Sequence, residues 1–464
     1  MTSTAPSDVE DLRRVMTGPV FTPDDADYDE VRKVLNADID LRPAVVARCA
    51  GVDDVVTAVR YAQRNGLEIA VRSGAHNLAG LSSVEDGLVV DLSGMRSVEV
   101  DPVARRARVQ GGALLADLDA ATQEYGLAVP SGLVGHTGVG GLTLGGGMGW
   151  LTRKAGLAID NLVSAEIVVA DGSVLRLSES ENADLFWAIR GGGGNFGVVT
   201  EFEFRLHEAG PMVQFGMLLW PLEQGMPALR ALREVVADLP PEVNAMIAGL
   251  SVPPVPFVAD EHHGMPAVGA ILVGFGSDEE FESVANRIRQ ALPPLIDAVM
   301  PLPYTALQSL FDDANGWGKY FYEKSCRLPD FTDEAIEVIL EQMPRRASAE
   351  SVLLSYRLDA AYSAASEDAT AFGGTREPHY AVFLIGISSD PALLPAERAW
   401  ARSLWEGLRP ASLGIGTYIN GMTEPEPERV LASYGRDKHA RLAEIKGRYD
   451  PGNVFHRNAN IKPA

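Results

Sequence analysis

The stretch that decides the fold is residues 130–157, PSGLVGHTGVGGLTLGGGMGWLTRKAGL, where Gly alternates with Leu, Val, Met and Trp. Nine of the 18 residues from 132 to 149 are Gly. Glycine at this density costs conformational entropy on folding, and it is used where a backbone must approach another molecule closely. A flexible linker is the alternative, but linkers lack large apolar residues. The stretch therefore predicts a binding surface for a large, flat ligand, of which a dinucleotide is the usual case.

A second Gly-containing loop, residues 72–77 (RSGAHN), follows a predicted strand at residues 67–72. A strand that runs into Ser-Gly-Ala directs several backbone N–H groups into one concavity, which suits a phosphate group. His76 lies in the same loop. Its imidazole can hydrogen-bond a cofactor or bond it covalently, and the alternative is a loop histidine satisfied by the protein itself.

A third cluster, residues 191–197 (GGGGNFG), contains the pattern G-x-G-x-x-G. In a Rossmann domain this pattern follows a strand and begins a helix. Here a helix is predicted before it, at residues 184–190, and a strand after it, at residues 197–206. The reversed order excludes a nicotinamide-dinucleotide Rossmann domain.

Composition excludes several function classes. The 464 residues carry a formal net charge of −23, which argues against nucleic acid and anionic membrane surfaces as partners. The longest apolar run, residues 265–276, is too short to span a bilayer, and residues 1–20 do not resemble a signal peptide. We therefore expect a cytoplasmic protein.

The metal-ligating residue types are sparse. Cys49 and Cys326 are the two cysteines and lie far apart, so neither a disulfide scaffold nor a cysteine-built zinc site is expected. His262 and His263 have no partner at ligand spacing, which favours a surface loop over a metal site. We expect no metal.

Hydrophobic periodicity predicts an α+β chain. The first 206 residues mix helices, such as residues 52–65, with short strands and a hairpin turning at Asp171-Gly172. The glycine clusters stop near residue 207, and longer helices then alternate with strands up to about residue 425. A final segment, residues 426–464, contains a predicted helix at residues 437–449.

Four motifs in order resemble one family. Residues 72–80, 138–161, 184–204 and 434–461 resemble the FAD-linked oxidases of the vanillyl-alcohol-oxidase superfamily (PCMH type), in the berberine-bridge-enzyme-like branch. The resemblance implies a two-part FAD-binding domain at residues 1–206, completed by the segment 426–464. It also implies a substrate domain at residues 207–425, with an antiparallel sheet over the flavin.

The resemblance implies covalent FAD, with His76 bonded to the 8α carbon of the flavin. Relatives with a second, cysteinyl bond carry Cys where this chain has Val134, so a single bond is expected. Thr137 falls at the oxygen-access position and is the size of Val, which favours an oxidase. The implied cofactor-binding residues are Arg72, Ser73, Gly74, Ala75, His76, Asn77, Thr137, Gly138, Gly141, Leu142, Gly145, Gly149, Val199, Tyr418 and Asn458.

Three residues are the candidate catalytic groups. Asn420 belongs to a Tyr-x-Asn segment like that of the family beside the flavin, but Gly421 follows where many relatives have a catalytic Tyr. Residues 352–358 (VLLSYRL) alternate as a strand with one apolar face, and the resemblance implies that this strand faces the substrate. Arg357, on the other face, is either a substrate-binding cation or an edge arginine in water. Tyr380 is either a general base or a core residue.

The predicted function is that of an FAD-dependent oxidoreductase. Its flavin would take a hydride from an alcohol or amine carbon, and O2 would reoxidise it to give H2O2. The expected partners are a small-molecule substrate and O2, and the expected state is a monomer or homodimer. The alternatives are a dehydrogenase with another electron acceptor, and a flavin- or ligand-binding protein without turnover.

Overall fold

A computed structural model describes residues 9–255 and 258–464 of the chain. Residues 1–8 lie outside the described residues. They belong to the predicted FAD-binding domain and to the segment 1–20 that does not resemble a signal peptide. Eighteen strands form three main sheets and one short pair within this described part. Across it, every helix is too short or too polar to span a membrane.

The first sheet carries the strand that leads into the 72–77 loop. Its strands are β1 (Val20–Phe21), β2 (Val45–Arg48), β3 (Ile69–Arg72) and β4 (Leu88–Asp91), in the order β1-β2-β4-β3. The last three are parallel and β1 is antiparallel to β2. Parallel strands covered on both sides are apolar along their length, as LVVD in β4 shows. The predicted helix packs here as α3 (Val52–Arg64), its apolar side buried.

The second sheet is antiparallel. It is made of β5 (Val98–Asp101), β6 (Arg106–Gln110), β8 (Leu162–Val168), β9 (Val174–Ser178) and β10 (Val198–Arg205), in the order β5-β6-β10-β8-β9. The predicted hairpin is confirmed, since β8 and β9 pair across the turn at Gly172, whose φ is +79°. A separate short pair joins β7 (Leu127–Ala128) to β11 (His207–Glu208).

The third sheet has seven antiparallel strands, which confirms the predicted large antiparallel sheet. They are β12 (Met212–Pro221), β13 (Val243–Ser251), β14 (Pro266–Gly274), β15 (Ile296–Pro303), β16 (Tyr320–Leu328), β17 (Val352–Leu358) and β18 (His379–Ser388). Their order is β15-β12-β14-β13-β17-β18-β16. Both faces are covered. Helices α8 (Gly225–Val236), α9 (Asp278–Ala291), α11 (Asp333–Gln342) and α13 (Leu394–Leu408) pack on the outer face.

The inner face of this sheet packs against the glycine-rich half of the chain. Trp150 and Leu151, which follow the longest glycine cluster, share one apolar core with Tyr356 of β17 and Phe383 of β18. The sheet is thereby held over the surface formed by the first two sheets.

The remaining helices are mostly short and connect the sheets. They are α1 (Val9–Val15), α2 (Tyr28–Val31), α4 (Leu115–Gln123), α5 (Val139–Gly145), α6 (Thr152–Ala155), α7 (Ala183–Ile189), α10 (Tyr304–Gln308), α12 (Ala361–Ala364), α14 (Pro427–Tyr434) and α15 (Arg436–Tyr449). Helix α5 lies inside the longest glycine cluster, which contains more regular structure than its composition indicates. Around residues 191–197 the predicted order is confirmed, because α7 precedes the cluster and β10 follows it.

Helix α15 and the residues after it return to the second sheet. Leu442, Ile445 and Ile461 pack into the same core as α7 and β10. The fully buried Lys446 donates hydrogen bonds to the carbonyls of Asn195 (2.7 Å) and Phe455 (2.8 Å). The division at residues 206 and 425 stays a prediction, but these contacts join the 426–464 segment to the first half of the chain.

Candidate flavin site

A cavity of about 360 Å³ lies between the three sheets. Its walls come from the loop after β3, helix α5 with the loop before it, the third glycine cluster, β16 and β18, and from residues Ile419, Asn420, Met422, Pro425, Phe455, Arg457, Asn458 and Ala459 near the end of the chain. The four motifs that are separate in sequence therefore share one cavity. Its size and largely apolar walls are those of a small-molecule site.

Glycine is required where the two loops of the cavity wall touch. A Cβ atom on Gly138 would lie 2.2 Å from the backbone N of Gly74 and 2.4 Å from Oγ of Ser73. A Cβ on Gly74 would meet the backbone N of Gly138 at the same 2.2 Å. Gly141, in contrast, borders the cavity with nothing within 4 Å of the Cβ position. The loops are thus packed against each other and leave backbone open toward the cavity.

Five side chains on the cavity wall carry a buried polar atom without a hydrogen-bond partner in the described part of the chain, and Ser73 and Asn458 are two of them. Ser73 Oγ and Asn458 Oδ1 have no hydrogen-bond partner within residues 9–255 and 258–464. Asn458 is held in place through its Nδ2, which donates to the carbonyls of Gly194 and Phe455 at 3.0 Å each. Buried polar atoms normally have partners, so these two indicate a polar ligand in the cavity.

His76 projects into the cavity from a strained turn. The preceding Ala75 has φ +56°, which is uncommon outside Gly. The Nε2 atom of His76 lies 2.6 Å from Nδ1 of His136, and its Nδ1 lies 3.2 Å from Oγ1 of Thr137. Burial, followed by the neighbouring His136, lowers the pKa of His76 to about 3. Its imidazole is therefore neutral at physiological pH and able to act as a nucleophile.

The side-chain amide of Asn420 is a second polar group on the cavity wall, and it contacts helix α5. Asn420 Nδ2 donates to the carbonyl of Leu142 (2.9 Å) and to the hydroxyl of Tyr418 (2.8 Å). The same hydroxyl accepts from the backbone N–H of Gly147 at 2.9 Å. Burial raises the pKa of Tyr418 to about 12, so it stays protonated. Tyr418 thus fixes the amide of Asn420 against the glycine-rich turn.

The structure brings most of the predicted site residues to this cavity. Those that line it are Ser73, Gly74, Ala75, His76, Asn77, Thr137, Gly138, Gly141, Leu142, Val199, Asn420 and Asn458. Tyr418 and Gly145 lie directly behind the wall, where a Cβ on Gly145 would come within 2.1 Å of Asn420 Oδ1. A Cβ on Gly149 would lie 1.9 Å from the carbonyl oxygen of Ser131, so close packing accounts for this glycine.

Arg72 does not line the cavity. Its guanidinium donates to the buried carboxylate of Asp91 at 2.8 Å, and Arg48 donates to the same oxygen at 2.9 Å. The predicted contact between Arg72 and the cofactor is therefore corrected to a structural role. The ion pair anchors the end of β3, from which the His76 loop begins.

Arg357 and Tyr380 require a correction. Both lie on the outer face of the third sheet, where the Arg357 guanidinium stacks over the Tyr380 ring at 4.9 Å. Tyr380 is 1% exposed and packs in the outer core against Phe331, with which it makes an edge-on ring contact. The apolar face of β17, including Tyr356, points to the inner side instead. Neither predicted catalytic residue can therefore contact a ligand in the cavity.

Glu323 is a polar cavity residue that was not predicted from the sequence. It lies on β16, for which no strand is predicted, and its side chain is 8% exposed. Its Oε1 atom has no hydrogen-bond partner among the described residues. Burial raises the pKa of Glu323 to about 8. The signal in the sequence is a carboxylate in the mostly apolar stretch YFYEKSC, which becomes informative once the strand and its inward face are known.

Comparison with known proteins identifies the family. Residues 43–178 match the FAD binding domain family, and residues 417–462 match the family described as berberine and berberine like. An FAD-linked oxidoreductase from Dictyostelium discoideum is 30% identical over 98% of this chain and 97% of its own length. The chain belongs to the berberine-bridge-like FAD-linked oxidoreductases.

Other relatives of this oxidoreductase agree with the assignment. The (R)-6-hydroxynicotine oxidase of Paenarthrobacter nicotinovorans is 32% identical over 96% of this chain and 97% of its own length. The crystal structure of 6-hydroxy-D-nicotine oxidase from Arthrobacter nicotinovorans superposes with a TM-score of 0.83 at 27% identity, covering 97% of this chain and 98% of that one. The α+β fold and the FAD cofactor expected from the sequence are confirmed.

The cavity suits that cofactor. Ser73 and Asn458 offer hydrogen-bonding atoms that have no partner in the part of the chain that the structure describes, and Gly141 leaves open space beside the backbone. FAD has both a polar diphosphate and a flat apolar ring system, which matches a wall of exposed backbone and aliphatic side chains. These residues, with His76, are the ones that would hold it.

Proposed function

We propose that this FAD-linked oxidoreductase holds its flavin through a single covalent bond to His76, oxidises an alcohol or amine carbon, and uses O2 as the electron acceptor. Bound FAD supplies the hydride acceptor for such a reaction. The observation that carries the proposal is a neutral imidazole on the cavity wall, beside backbone that approaches the ligand closely.

The environment of His76 supports covalent attachment. Its Nε2 atom is engaged by His136, which leaves Nδ1, beside Thr137, as the nitrogen available for a bond. Attack by a neutral imidazole needs no prior deprotonation at physiological pH, because the pKa of His76 is about 3. His136 orients the ring and can take up the proton that the imidazole loses once its other nitrogen is alkylated.

The remaining cavity residues support a single bond. Val134 lines the cavity at the position expected for a cysteinyl link and has no thiol. The two cysteines of the chain, Cys49 and Cys326, are buried in other cores and do not line the cavity. A second, sulfur-based bond therefore has no donor.

Two features support an oxidase that acts on a small organic molecule. Thr137 is a small side chain on the cavity wall, at the position that the family resemblance associates with oxygen access, and its Oγ1 lies 3.2 Å from Nδ1 of His76. The nicotine-oxidising relative is named for an oxidase reaction on a small amine. The net charge of −23 disfavours nucleic acid and highly anionic substrates. We infer that the partners are a small neutral or cationic substrate and O2, with the protein as a monomer or homodimer.

The covalent bond is tested by acid precipitation of the purified protein. Wild-type protein should stay yellow and fluoresce in a denaturing gel, while His76→Ala should release all flavin into the supernatant. Val134→Ala, which also alters the cavity wall but removes no nucleophile, should keep its acid-stable flavin. Release of all flavin from wild-type protein would refute attachment through His76.

The acceptor is tested by substrate turnover under air. Candidate alcohols and amines are first mixed anaerobically with the protein, and bleaching of the flavin identifies a substrate. H2O2 formation with that substrate then supports an oxidase. Fast dye reduction without H2O2 would establish a dehydrogenase, and no bleaching by any compound would favour a binding protein without turnover.

A further inference from the structure

Gly421, between the cavity residues Asn420 and Met422, leaves a space that the side chain of Glu323 fills. A Cβ atom on Gly421 would lie 2.4 Å from Oε1 of Glu323, 3.0 Å from the ring of Phe383 and 3.2 Å from Oγ of Ser325. Any side chain at residue 421 would therefore overlap the Glu323 carboxyl group. A larger side chain at residue 421 would displace the Glu323 carboxyl group from this position, and Gly421 leaves that position to the carboxyl group.

Among residues 9–255 and 258–464, the Glu323 carboxyl group forms no ion pair. Lys324, its neighbour in sequence, points to the outer face of the sheet and pairs with Glu424 at 2.5 Å. The titratable groups whose pKa is raised by burial and also by the charge of Glu323 are the hydroxyls of Tyr356, from β17, and Tyr418. Burial raises the pKa of both phenols, so both stay neutral. An acidic group that is buried, unpaired and beside a ligand cavity is typical of a functional site rather than of a structural one.

We propose that Glu323, whose carboxyl group occupies the space beside Gly421, is the group that accepts the proton from the substrate. This inference rests on the proposed function above. In the reaction, the O–H or N–H bond of the substrate breaks and its proton passes to the Glu323 carboxylate. Bound FAD would supply the acceptor for the hydride of the neighbouring C–H bond, so that the substrate carbon would be oxidised to a carbonyl or imine and the two electrons would pass to the flavin.

The surroundings of Glu323 define the class of substrate. The cavity residues nearest to it on the same and the adjoining strand are Phe321 and Ile385, and Met422 follows Gly421. These are apolar, whereas a sugar would need several hydrogen-bonding partners for its hydroxyls. The substrate that fits is a largely apolar alcohol or amine with one group that can be deprotonated.

The inference is tested with Glu323→Gln, which keeps the shape of the side chain but cannot accept a proton. In the flavin-loaded variant, anaerobic flavin reduction by the substrate identified above should slow by about 10²–10⁴-fold, the usual contribution of a general base. Flavin content and acid-stable fluorescence should be unchanged. Glu323→Asp should recover part of the rate, because it retains the carboxylate.

The pH dependence distinguishes a proton acceptor from a residue that only shapes the cavity. In wild-type protein the rate of flavin reduction should rise with pH through about 8, the pKa of Glu323, and this rise should disappear in Glu323→Gln. The matched control is Glu424→Gln, whose carboxylate pairs with Lys324 and Arg402 on the outer face. That control should keep both the rate and the pH profile of wild-type protein.

A measurement without turnover separates failure of this inference from failure of the proposed function. The absorbance spectrum of the bound flavin should shift with a midpoint near pH 8 in wild-type protein, because a negative charge forms beside it, and should not shift in Glu323→Gln. If no compound bleaches the flavin, the proposed function fails, while this titration still reports on Glu323. Equal reduction rates in wild-type protein and Glu323→Gln, or equal titrations, would overturn the assignment.

Discussion

Replacement of Asp91 by Asn tests how the loop that carries His76 is held in place. Asp91 ends β4 with no exposed side-chain surface, and it accepts hydrogen bonds from Arg72 (2.8 Å) and Arg48 (2.9 Å). Its second oxygen accepts from the backbone N–H of Ser93 at 3.0 Å. Because Arg72 is the last residue of β3, the ion pair fixes the start of the His76 loop.

The size of the effect follows from the burial of the partners. Asn keeps the shape of Asp91 but leaves the Arg72 side chain, 6% exposed, without a counter-charge. Removing one partner of a buried ion pair costs about 3–5 kcal/mol. The Arg48 side chain is 33% exposed and can turn to water, so it adds little. We expect Asp91→Asn to lower the free energy of unfolding by about 3 kcal/mol, a factor of about 100 in the unfolding equilibrium.

The assay is urea unfolding of the flavin-loaded protein, followed by circular dichroism and by flavin fluorescence. Asp297→Asn is the matched control, because Asp297 makes a similar pair with Arg289 (2.6 Å) on the surface. Exposed pairs contribute no more than about 1 kcal/mol. If the two variants lose equal stability, the ion pair at Asp91 does not hold the loop and the reasoning is refuted.

The same pair predicts a pH dependence. Burial alone would raise the pKa of Asp91, but Arg72 and Arg48 outweigh it and the pKa is lowered. The folded-state pKa therefore lies below the unfolded value of about 3.9. Stability from this group is fully present above pH 4 and is lost as the pH falls through the folded-state pKa. The stability difference between wild-type protein and Asp91→Asn should be constant from pH 5 to 8 and shrink below pH 4.

Three further variants test other parts of the structure. Tyr380→Phe should leave the rate of flavin reduction unchanged and stability equal or up to about 1 kcal/mol higher, because the hydroxyl is buried without a partner in the described residues. Lys446→Met should cost about 3–5 kcal/mol in urea unfolding, because it leaves the buried Asp450 carboxylate, 3.1 Å from the ammonium, without its cation. Gly138→Ala should cost about 1–3 kcal/mol and reduce the flavin content measured by absorbance, because its Cβ overlaps the backbone of Gly74.

Each of these variants has its own contradicting result. Slower flavin reduction in Tyr380→Phe would show that Tyr380 takes part in the reaction and would contradict its placement on the outer face. The control for Lys446→Met is Arg448→Met, which removes an exposed pair with Asp184; similar losses in both would show that burial of Lys446 is not decisive. The control for Gly138→Ala is Gly452→Ala, whose nearest contact is an ordinary 3.7 Å; full flavin content in both variants would contradict the close approach of the two loops.

The glycine-rich loops could be predicted from the sequence, because close approach of a backbone to a ligand requires glycine, and clusters of glycine are evident in the sequence. His76 and Asn420 were found for the same reason, since each lies within or beside such a motif. It was harder to predict which face of the seven-stranded sheet borders the cavity. Alternation in β17 separates two faces correctly, but both faces of this sheet are covered, one by helices and one by the flavin-binding half. The alternation of apolar and polar residues does not show which face borders the cavity, so the prediction placed Arg357 and Tyr380 on the wrong face.

Glu323 could not be predicted because its role depends on contacts between distant segments. The position of its carboxyl group depends on Gly421, almost a hundred residues later in the chain. Because Gly421 has no side chain, it leaves room for that carboxyl group. In the sequence these are an ordinary Glu and an ordinary Gly. The pairing of β16 with β18 and the turn after Asn420 bring them together.

The return of α15 to the second sheet has a consequence for the order of synthesis. Lys446 and Asn458 reach the glycine cluster at residues 191–197 only after the whole seven-stranded sheet has left the ribosome. The cavity wall that includes Asn458 therefore cannot close while residues 207–425 are still being translated. We therefore expect flavin binding to be a late event in maturation, because a chain interrupted after residue 425 would carry the His76 loop without Asn458.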